Sequence, residues 1–196
     1  GKITPSVTQF QTEGPGRVMR QNIVLIGMMG AGKTAIGGEL SRRLGRPFSD
    51  TDVEIERAAA MTIPEIFARD GEEFFRARES EVLGRVLASG RGIVSTGGGA
   101  WLRPENRARI GAHGVSVWLD CDLETLWHRV RQRPTRPLLQ TADPRGTLER
   151  LLNERRPVYA LADIRGAARR GDSIEETANR AIEAIHSHDP AILETI

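Results

Sequence analysis

Residues 27–34 have the spacing of a loop that binds phosphate groups, Gly-x-x-x-x-Gly-Lys-Thr. Glycines let successive backbone N–H groups face one anion, and the ammonium of Lys33 is a compact charge that fits between phosphate oxygens. Of the 28 lysines and arginines, only Lys2 and Lys33 are lysines, so a lysine here goes against the general usage of the chain. We predict that this phosphate loop binds a nucleoside triphosphate through Gly27, Met28, Met29, Gly30, Ala31, Gly32, Lys33 and Thr34.

Two carboxylates, Asp50 and Asp52, stand one residue apart after a short predicted strand. The hydroxyl of Thr34 can ligate the Mg²⁺ that accompanies a nucleotide, and one carboxylate can hold water on that metal. The other carboxylate can accept a hydrogen bond or a proton from an attacking hydroxyl. An alternative is that Asp52 only caps the helix that follows.

Arg76 and Glu79 stand three residues apart and share one face of a predicted helix. Most such pairs are solvated and contribute little to stability, but Arg76 follows Phe74 and Phe75, which favours a position at the edge of a pocket. Three consecutive glycines at 97–99, here called the glycine loop, follow a predicted buried strand. A plain loop rarely needs three glycines, so we expect a ligand to approach bare backbone there.

Arginines in two later segments can bind anions. Arg136 lies in a proline-rich stretch, residues 133–139, whose composition fits a mobile segment that closes over a reaction and excludes water. An ordinary exposed loop is the alternative. Arg155 and Arg156 lie near the end of a predicted helix, and the sequence does not decide which of them faces a cleft and which faces solvent.

The segments on both sides of the phosphate loop are those that a phosphate site requires. Residues 22–26 are mostly apolar and β-branched, which predicts a buried parallel strand. After the loop, Ile36, Leu40 and Leu44 repeat every four residues on a predicted helix, and Gly45 follows as its C-cap. A chance glycine turn would require neither element.

Predicted strands and helices alternate along the chain, which is typical of an α/β fold with a parallel sheet. Ligands of open parallel sheets bind at the carboxyl edge of the strands, so we expect the residues named above to meet there. The strands are predicted near residues 22–26, 47–50, 92–96, 115–119 and 163–165. The helices are predicted near residues 33–44, 52–60, 63–69, 72–88, 123–133, 144–161 and 174–186.

The composition narrows the class of protein. With 196 residues, 39% hydrophobic and 28% charged, the chain is expected to form one soluble globular domain, and a net charge of +2 gives no argument for nucleic acid. The single cysteine, Cys121, excludes an intrachain disulfide and should pack as a small hydrophobe. No segment is apolar enough for a membrane span or a secretory signal, so we expect a cytoplasmic enzyme. Residues 1–20 are predicted to be a flexible extension and 189–196 a tail.

Six motifs occur in the order in which shikimate kinases carry them, and the chain resembles that family over about residues 20–186. They are the phosphate loop, Asp50-Thr51-Asp52, Phe75-Arg76 with Glu79, the glycine loop, Arg136-Pro137-Leu138-Leu139 and Glu154-Arg155-x-Pro157-x-Tyr159. Each motif is modest alone, and their order makes the set specific. The resemblance implies a three-layer P-loop NTPase fold of the nucleoside-monophosphate-kinase type, in which helices flank a mostly five-stranded parallel sheet. It also implies a single kinase domain at 21–188 with a mobile lid near 130–145.

The resemblance implies the reaction as well. Shikimate kinases phosphorylate the 3-hydroxyl of shikimate with ATP and Mg²⁺, giving shikimate 3-phosphate and ADP, a step of chorismate and aromatic amino acid biosynthesis. ATP and shikimate are therefore the expected substrates of this chain. A monomer without nucleic acid or membrane partners is expected.

On the nucleotide side, the resemblance implies that Lys33 and the phosphate-loop amides hold the ATP phosphates. Thr34 would ligate Mg²⁺, and Asp50 would support the metal through water. Arg129 matches a position near the adenine, and Arg136 in the lid would reach the transferred phosphate.

On the acceptor side, the resemblance implies that Asp52 hydrogen-bonds the attacked hydroxyl and is the candidate base. Arg76 and Arg155 would bind the substrate carboxylate, and Glu79 would orient Arg76. The glycine loop, Gly97, Gly98 and Gly99, would line this pocket.

Two features depart from common patterns. The third predicted strand ends in Ser95-Thr96 without a Walker-B aspartate, so metal support must come from Asp50. Adenine contacts after the last strand, around Arg169 and Arg170, match no clear pattern.

Other functions fit the sequence less well. A related kinase acting on gluconate or on a nucleoside monophosphate is disfavoured by the pair Arg76 and Arg155 beside the glycine loop. A guanine-nucleotide switch would carry an Asn-Lys-x-Asp base reader, and no lysine follows Lys33. A degenerate regulatory module would be expected to lose Lys33, Asp52 or Arg136.

Overall fold

The computed structural model of the chain describes residues 21–88, 90–132 and 141–194. The predicted extension at 1–20 and residues 133–140 of the predicted lid, including Arg136, lie outside the described residues. Within the described segments, no helix is both long and apolar enough to cross a bilayer.

Five parallel strands form one sheet in the order β2-β3-β1-β4-β5. The strand β1 is central, and all five of its residues are buried, as expected for an apolar strand covered on both faces. The predicted α/β fold with a parallel sheet is confirmed, and each predicted strand is present with ends shifted by a few residues. The strands are β1 Asn22–Ile26, β2 Phe48–Asp50, β3 Ile93–Ser95, β4 Gly114–Cys121 and β5 Ile164–Ala168.

Helices connect the strands and flank the sheet. The helix α1 packs on α7, α3 packs on α2 and α4, and α5 packs on α6. The helices are α1 Lys33–Leu44, α2 Thr51–Ala59, α3 Ile63–Leu87, α4 Pro104–His113, α5 Leu123–Val130, α6 Pro144–Tyr159 and α7 Ile174–His188, with 3₁₀ turns at Ala100–Leu102 and Pro190–Leu193.

Local signals in the sequence set several helix ends. Gly71 has φ 84° and ψ 172° and breaks α3 between the two helices predicted at 63–69 and 72–88. Asp122 accepts a hydrogen bond from the Thr125 N–H at 2.7 Å and caps α5. Ser173 accepts a hydrogen bond from the Glu176 N–H at 3.1 Å and caps α7. The break at Gly71 sets the direction of the second half of α3.

Helix α4 was not predicted. Its sequence is rich in arginine and has only Ile110 as a fully buried apolar residue, so it lacks the periodic apolar face that reveals a helix. The Pro104 near its first turn was the available signal.

The C-terminal segment packs against the start of the sheet. Ile192 is buried, and the buried guanidinium of Arg46 donates hydrogen bonds to the backbone carbonyls of Gln21, Ile192 and Glu194. Residues 190–194 of the predicted tail are therefore in contact with the domain.

Two apolar clusters support the site. The large one lies around the sheet, and the buried Cys121 belongs to it, as predicted. A smaller one, made by Ile55, Ile66, Phe75 and Val82, joins α2 to α3. This second cluster holds the half of α3 that carries Arg76 and Glu79.

Adjacent glycines on α1 give opposite predictions for stability. A Cβ atom at Gly37 would overlap the ring of Phe48 in β2, whereas one at Gly38 would meet nothing within 4 Å. We expect Gly37→Ala to lower the free energy of unfolding by about 1–3 kcal/mol because of overpacking. Gly38→Ala should raise it by about 0.5–1 kcal/mol, the gain in helix propensity. Urea denaturation of both variants tests this pair, and equal effects would show that α1 does not pack closely on β2.

Candidate functional site

The phosphate loop connects β1 to α1, and its backbone is shaped for an anion. Gly32 has φ 95° and is the N-cap of α1, so no side chain covers the first N–H groups of the helix. Lys33 is 9% exposed, and its Nζ donates to the carbonyls of Gly27 at 2.7 Å and Met28 at 2.9 Å. The ammonium thus lies against the loop, next to the helix terminus that favours negative charge.

A cavity of about 600 Å³ opens beside this loop. The predicted residue Arg129 lies in its wall and donates from Nη1 to the Gly30 carbonyl at 2.9 Å. The sequence prediction missed several other wall residues. These are Gln132, Ala168, Asp172, Ser173, Ile174 and Thr177.

The wall beyond Arg129 comes from the end of β5 and the first turn of α7. Arg169 and Arg170, the region considered for adenine contacts from the sequence, are not among the residues of the wall. Ile174 lies there with 49% of its surface exposed, so its side chain is available to a flat apolar ligand. The exposed apolar residue after the cap Ser173 was the signal that could have located this wall.

Asp50 and Thr34 meet at the end of the cavity nearest β2. The Thr34 hydroxyl donates to Oδ2 of Asp50 at 3.1 Å. The other oxygen of Asp50 accepts from the backbone N–H groups of Asp52 at 2.9 Å and Val53 at 3.4 Å. Asp50, rather than Asp52, therefore caps α2, and the alternative that Asp52 is the cap is wrong.

The chemistry of this pair fits Mg²⁺. A hydroxyl and a carboxylate are hard oxygen ligands, and Mg²⁺ is commonly bound by one or two such groups together with phosphates and water. Consistent with so few protein ligands, no group of three or more His, Cys, Asp or Glu residues suited to a metal occurs in the described part of the chain.

Asp52 is half-buried at the junction of the cavity and the glycine loop. A Cβ atom at Gly97 would lie 2.8 Å from its Oδ1. Loss of hydration raises the pKa of Asp52, and the nearby carboxylate of Asp50 adds to this, while Lys33 and Arg76 oppose it. Asp52 is therefore a stronger proton acceptor than an exposed aspartate.

Arg76 and Glu79 form an ion pair in which the carboxylate is buried and the arginine partly buried. Nη1 of Arg76 donates to Oε1 of Glu79 at 2.9 Å, and Glu79 is only 1% exposed. Burial raises the pKa of Glu79, and Arg76 opposes the shift. The second oxygen, Oε2, has no hydrogen-bond partner among the described residues and lies 3.2 Å from where a Cβ atom of Gly97 would stand. The pair belongs to an interior site and not to a solvated face.

The guanidinium of Arg155 lies beside Gly98 of the glycine loop. Arg155 is buried whereas Arg156 is exposed, which decides between the two candidates. Its Nη1 is buried and has no hydrogen-bond partner in the described segments. A buried donor without an acceptor is costly, and a ligand with an anionic oxygen would satisfy it.

The glycine loop brings the acceptor-side residues together. A Cβ atom added at Gly98 would lie 3.2 Å from Nη1 of Arg155, and one added at Gly99 would lie 2.5 Å from Nη1 of Arg76. Side chains at these positions would fill the space between the two guanidinium groups and Asp52. The glycine loop is thus where the predicted acceptor-side residues meet, namely Asp52, Arg76, Glu79 and Arg155. Arg136 lies outside the described residues.

Comparisons with known proteins all give matches to one family. A family model described as shikimate kinase matches residues 29–186. A shikimate kinase of Ruegeria pomeroyi is 53% identical over 173 residues, covering 88% of this chain and 89% of that protein. A shikimate kinase of Cereibacter sphaeroides is 54% identical over 177 residues, covering 90% and 88%.

A solved structure is also similar. It is the shikimate kinase of Acinetobacter baumannii in complex with shikimate, which is 37% identical with a TM-score of 0.78 and covers 86% of this chain and 94% of that one. Because the family model covers most of the chain and the relatives are this similar over most of its length, the chain belongs to the shikimate kinase family.

Proposed function

We propose that this shikimate kinase transfers the terminal phosphoryl group of ATP to the 3-hydroxyl of shikimate across the glycine loop. The reaction is a step in the biosynthesis of chorismate and the aromatic amino acids. One observation carries the assignment of residues: Asp52, Arg76 and Arg155 converge on Gly97, Gly98 and Gly99 at the end of the cavity that the phosphate loop lines. The relative from A. baumannii was solved with shikimate bound, which supports shikimate as the acceptor.

The nucleotide occupies the large cavity in this proposal. Its phosphates lie on the N–H groups of the phosphate loop and the first turn of α1. Lys33 exchanges the carbonyl oxygens of Gly27 and Met28 for phosphate oxygens. The base lies along Arg129 and Ile174, in the direction in which the cavity extends from the loop.

Thr34 and Asp50 would hold Mg²⁺, Thr34 directly and Asp50 through water. When bound with the nucleotide, the ion neutralises charge that develops on the phosphates. The hydrogen bond between Thr34 and Asp50 at 3.1 Å, which brings the two oxygens together, supports this role.

The carboxylate of shikimate is bound by two guanidinium groups. Arg76 is held by Glu79 and stacks over Phe75, with 5.2 Å between its Cζ and the ring centroid, so the fork is fixed before the ligand arrives. Arg155 offers a buried N–H that lacks a partner in the described residues. Two planar forks suit one small carboxylate and are poor partners for a neutral sugar.

Asp52 accepts the proton of the 3-hydroxyl as the oxygen attacks phosphorus. Loss of hydration raises the pKa of Asp52, which makes it a better proton acceptor than an exposed aspartate. Arg136, carried by the lid segment, is expected from the sequence to reach the transferred phosphate. The monomeric state, the cytoplasmic location and the domain limits likewise stay predictions from the sequence.

The release of ADP by purified protein with Mg·ATP tests the proposed function. We expect strong release only when shikimate is added, because the acceptor hydroxyl and not water is positioned for attack. Gluconate and nucleoside monophosphates serve as control acceptors. Release that shikimate leaves unchanged, or that gluconate stimulates equally, would reject the acceptor assignment and leave only a nucleotide site.

Asp52→Asn should lower kcat by roughly 100-fold or more while the Kd for ADP stays the same, because only the proton acceptor is lost. The same variant should be more stable at neutral pH. The raised pKa of Asp52 in the folded protein means that the ionised carboxylate destabilises the fold above that pKa. This penalty disappears as the pH falls from the raised pKa toward the unfolded value of about 3.9.

Two measurements check the Asp52 prediction. Steady-state kinetics with ADP titration separates turnover from nucleotide binding, and a parallel loss of both would contradict the role of Asp52 as base. Urea unfolding of both proteins at neutral and mildly acidic pH should show a stability gain that shrinks on acidification. An asparagine variant that is less stable at neutral pH would contradict the cost of burying the carboxylate.

Arg76→Lys keeps the charge but removes the planar fork. We expect the KM for shikimate to rise by about 10–100-fold, equivalent to one or two charge-assisted hydrogen bonds, with a smaller change in kcat. Arg78→Lys is the matched control, since Arg78 lies on the same helix in an exposed pair with Glu81 at 3.1 Å. Equal KM values for the two variants would show that Arg76 does not bind the acid.

A further inference from the structure

The hydroxyl group of Tyr159 contacts both the glycine loop and the phosphate loop. Tyr159 is the only tyrosine of the chain, ends α6, and has 0% of its surface exposed. Its hydroxyl donates to the Gly98 carbonyl at 2.6 Å and lies 3.7 Å from Sδ of Met28 in the phosphate loop. A phenol has one proton and a thioether is a weak acceptor, so the Gly98 carbonyl takes the hydrogen bond.

Arg155 approaches the same glycine from the same helix. It lies one turn before Tyr159, so both side chains share a face of α6. The position of a Gly98 Cβ atom would be 3.2 Å from Nη1 of Arg155, the buried donor that lacks a partner in the described residues. A guanidinium N–H in need of an acceptor therefore lies beside a peptide whose carbonyl is already engaged.

In this arrangement two donors, the hydroxyl of Tyr159 and the guanidinium of Arg155, compete for the Gly98 carbonyl, and the hydroxyl occupies it. Gly98 has no side chain, so contacts of its backbone decide the direction of its carbonyl. Without the hydroxyl of Tyr159, that carbonyl would lose its donor, and the Nη1 of Arg155 beside Gly98 is a donor without a partner in the described residues. An Arg155 that binds the Gly98 carbonyl has one fewer N–H for a ligand.

We propose that Tyr159 is a positioning residue, whose hydroxyl holds the Gly98 carbonyl and so keeps Nη1 of Arg155 available for the carboxylate of the acceptor. The inference rests on the proposed function, in which Arg155 binds that carboxylate. Burial raises the pKa of Tyr159, while Arg155 opposes the shift, so the phenol keeps its proton at neutral pH and remains a donor.

Tyr159→Phe removes only the hydroxyl oxygen. We expect the Kd for shikimate, measured by calorimetry, to rise about tenfold, the effect of losing one hydrogen bond to a charged group. The Kd for ADP should not change, since the contact with Met28 is weak. An unchanged Kd for shikimate would overturn the proposal.

Trp101→Phe is the matched control. Nε1 of Trp101 donates to the Val158 carbonyl at 2.8 Å, which is a second hydrogen bond between the glycine-loop segment and the end of α6. Its loss should lower the free energy of unfolding and leave the Kd for shikimate near that of the wild type, because the Gly98 carbonyl keeps its donor. An equal rise in Kd for both variants would show general loosening and would also overturn the proposal.

A double-mutant cycle with Arg155→Ala separates this inference from the proposed function. If Tyr159 acts through Arg155, then Tyr159→Phe should have no further effect on shikimate binding in the Arg155→Ala background. A full additional loss would contradict that route. If Arg155→Ala binds shikimate as tightly as the wild type, the proposed carboxylate site fails, whereas an effect of Arg155→Ala without one of Tyr159→Phe rejects only the present inference.

The wild-type enzyme provides a measurement in case Tyr159→Phe does not fold. Labelling with ¹³Cζ-tyrosine gives a single NMR resonance, since the chain has one tyrosine. We expect this resonance not to titrate near the ordinary tyrosine pKa of about 10 while the protein stays folded. Titration at that ordinary pKa would show an accessible hydroxyl and overturn the proposal.

Discussion

Parallel hydrogen bonding among β2, β3 and β1 is the constraint on which the site depends. Ser95 pairs with Asp50 on one side and with Leu25 on the other, so the loops that follow these residues leave the sheet side by side. Hydroxyl groups just beyond β3 and β2 strengthen the alignment: Thr96 Oγ1 donates to the Leu25 carbonyl at 2.9 Å and Thr51 Oγ1 to the Ser95 carbonyl at 3.3 Å. The phosphate loop, the aspartates and the glycine loop are therefore adjacent before any ligand binds.

The site contains buried charged groups that do not stabilise the folded protein. Glu79 is almost fully buried, and the attraction of Arg76 compensates only in part for its lost hydration. Arg155 adds a buried cation whose Nη1 lacks a partner in the described residues, and Asp52 adds a carboxylate with a raised pKa. Apolar residues at these positions would make a more stable protein. The smaller apolar cluster under α2 and α3 helps to offset this cost by fixing the segments that carry the charges.

Much of the fold and part of the site follow from local sequence, because their causes are local. The phosphate loop, the break at Gly71 and the caps at Asp122 and Ser173 each involve residues within a few positions of one another. Other features depend on tertiary contacts that no short segment encodes. The choice of Arg155 over Arg156 depends on how α6 is rotated against the glycine loop, and helix α4 has too few apolar residues to show its period.

The carbonyl contacts of Lys33 have a consequence for how the loop meets its ligand. Because Nζ is hydrogen-bonded to the carbonyl oxygens of Gly27 and Met28, the Lys33 side chain connects the end of the loop to its beginning. The side chain is therefore ordered before a ligand binds. Binding of an anion is then an exchange of acceptors, so little rotamer entropy is lost when the ammonium engages it. The contribution of Lys33 to binding should therefore come from the replacement of a neutral carbonyl oxygen by a charged phosphate oxygen as its acceptor. This contribution is largely enthalpic.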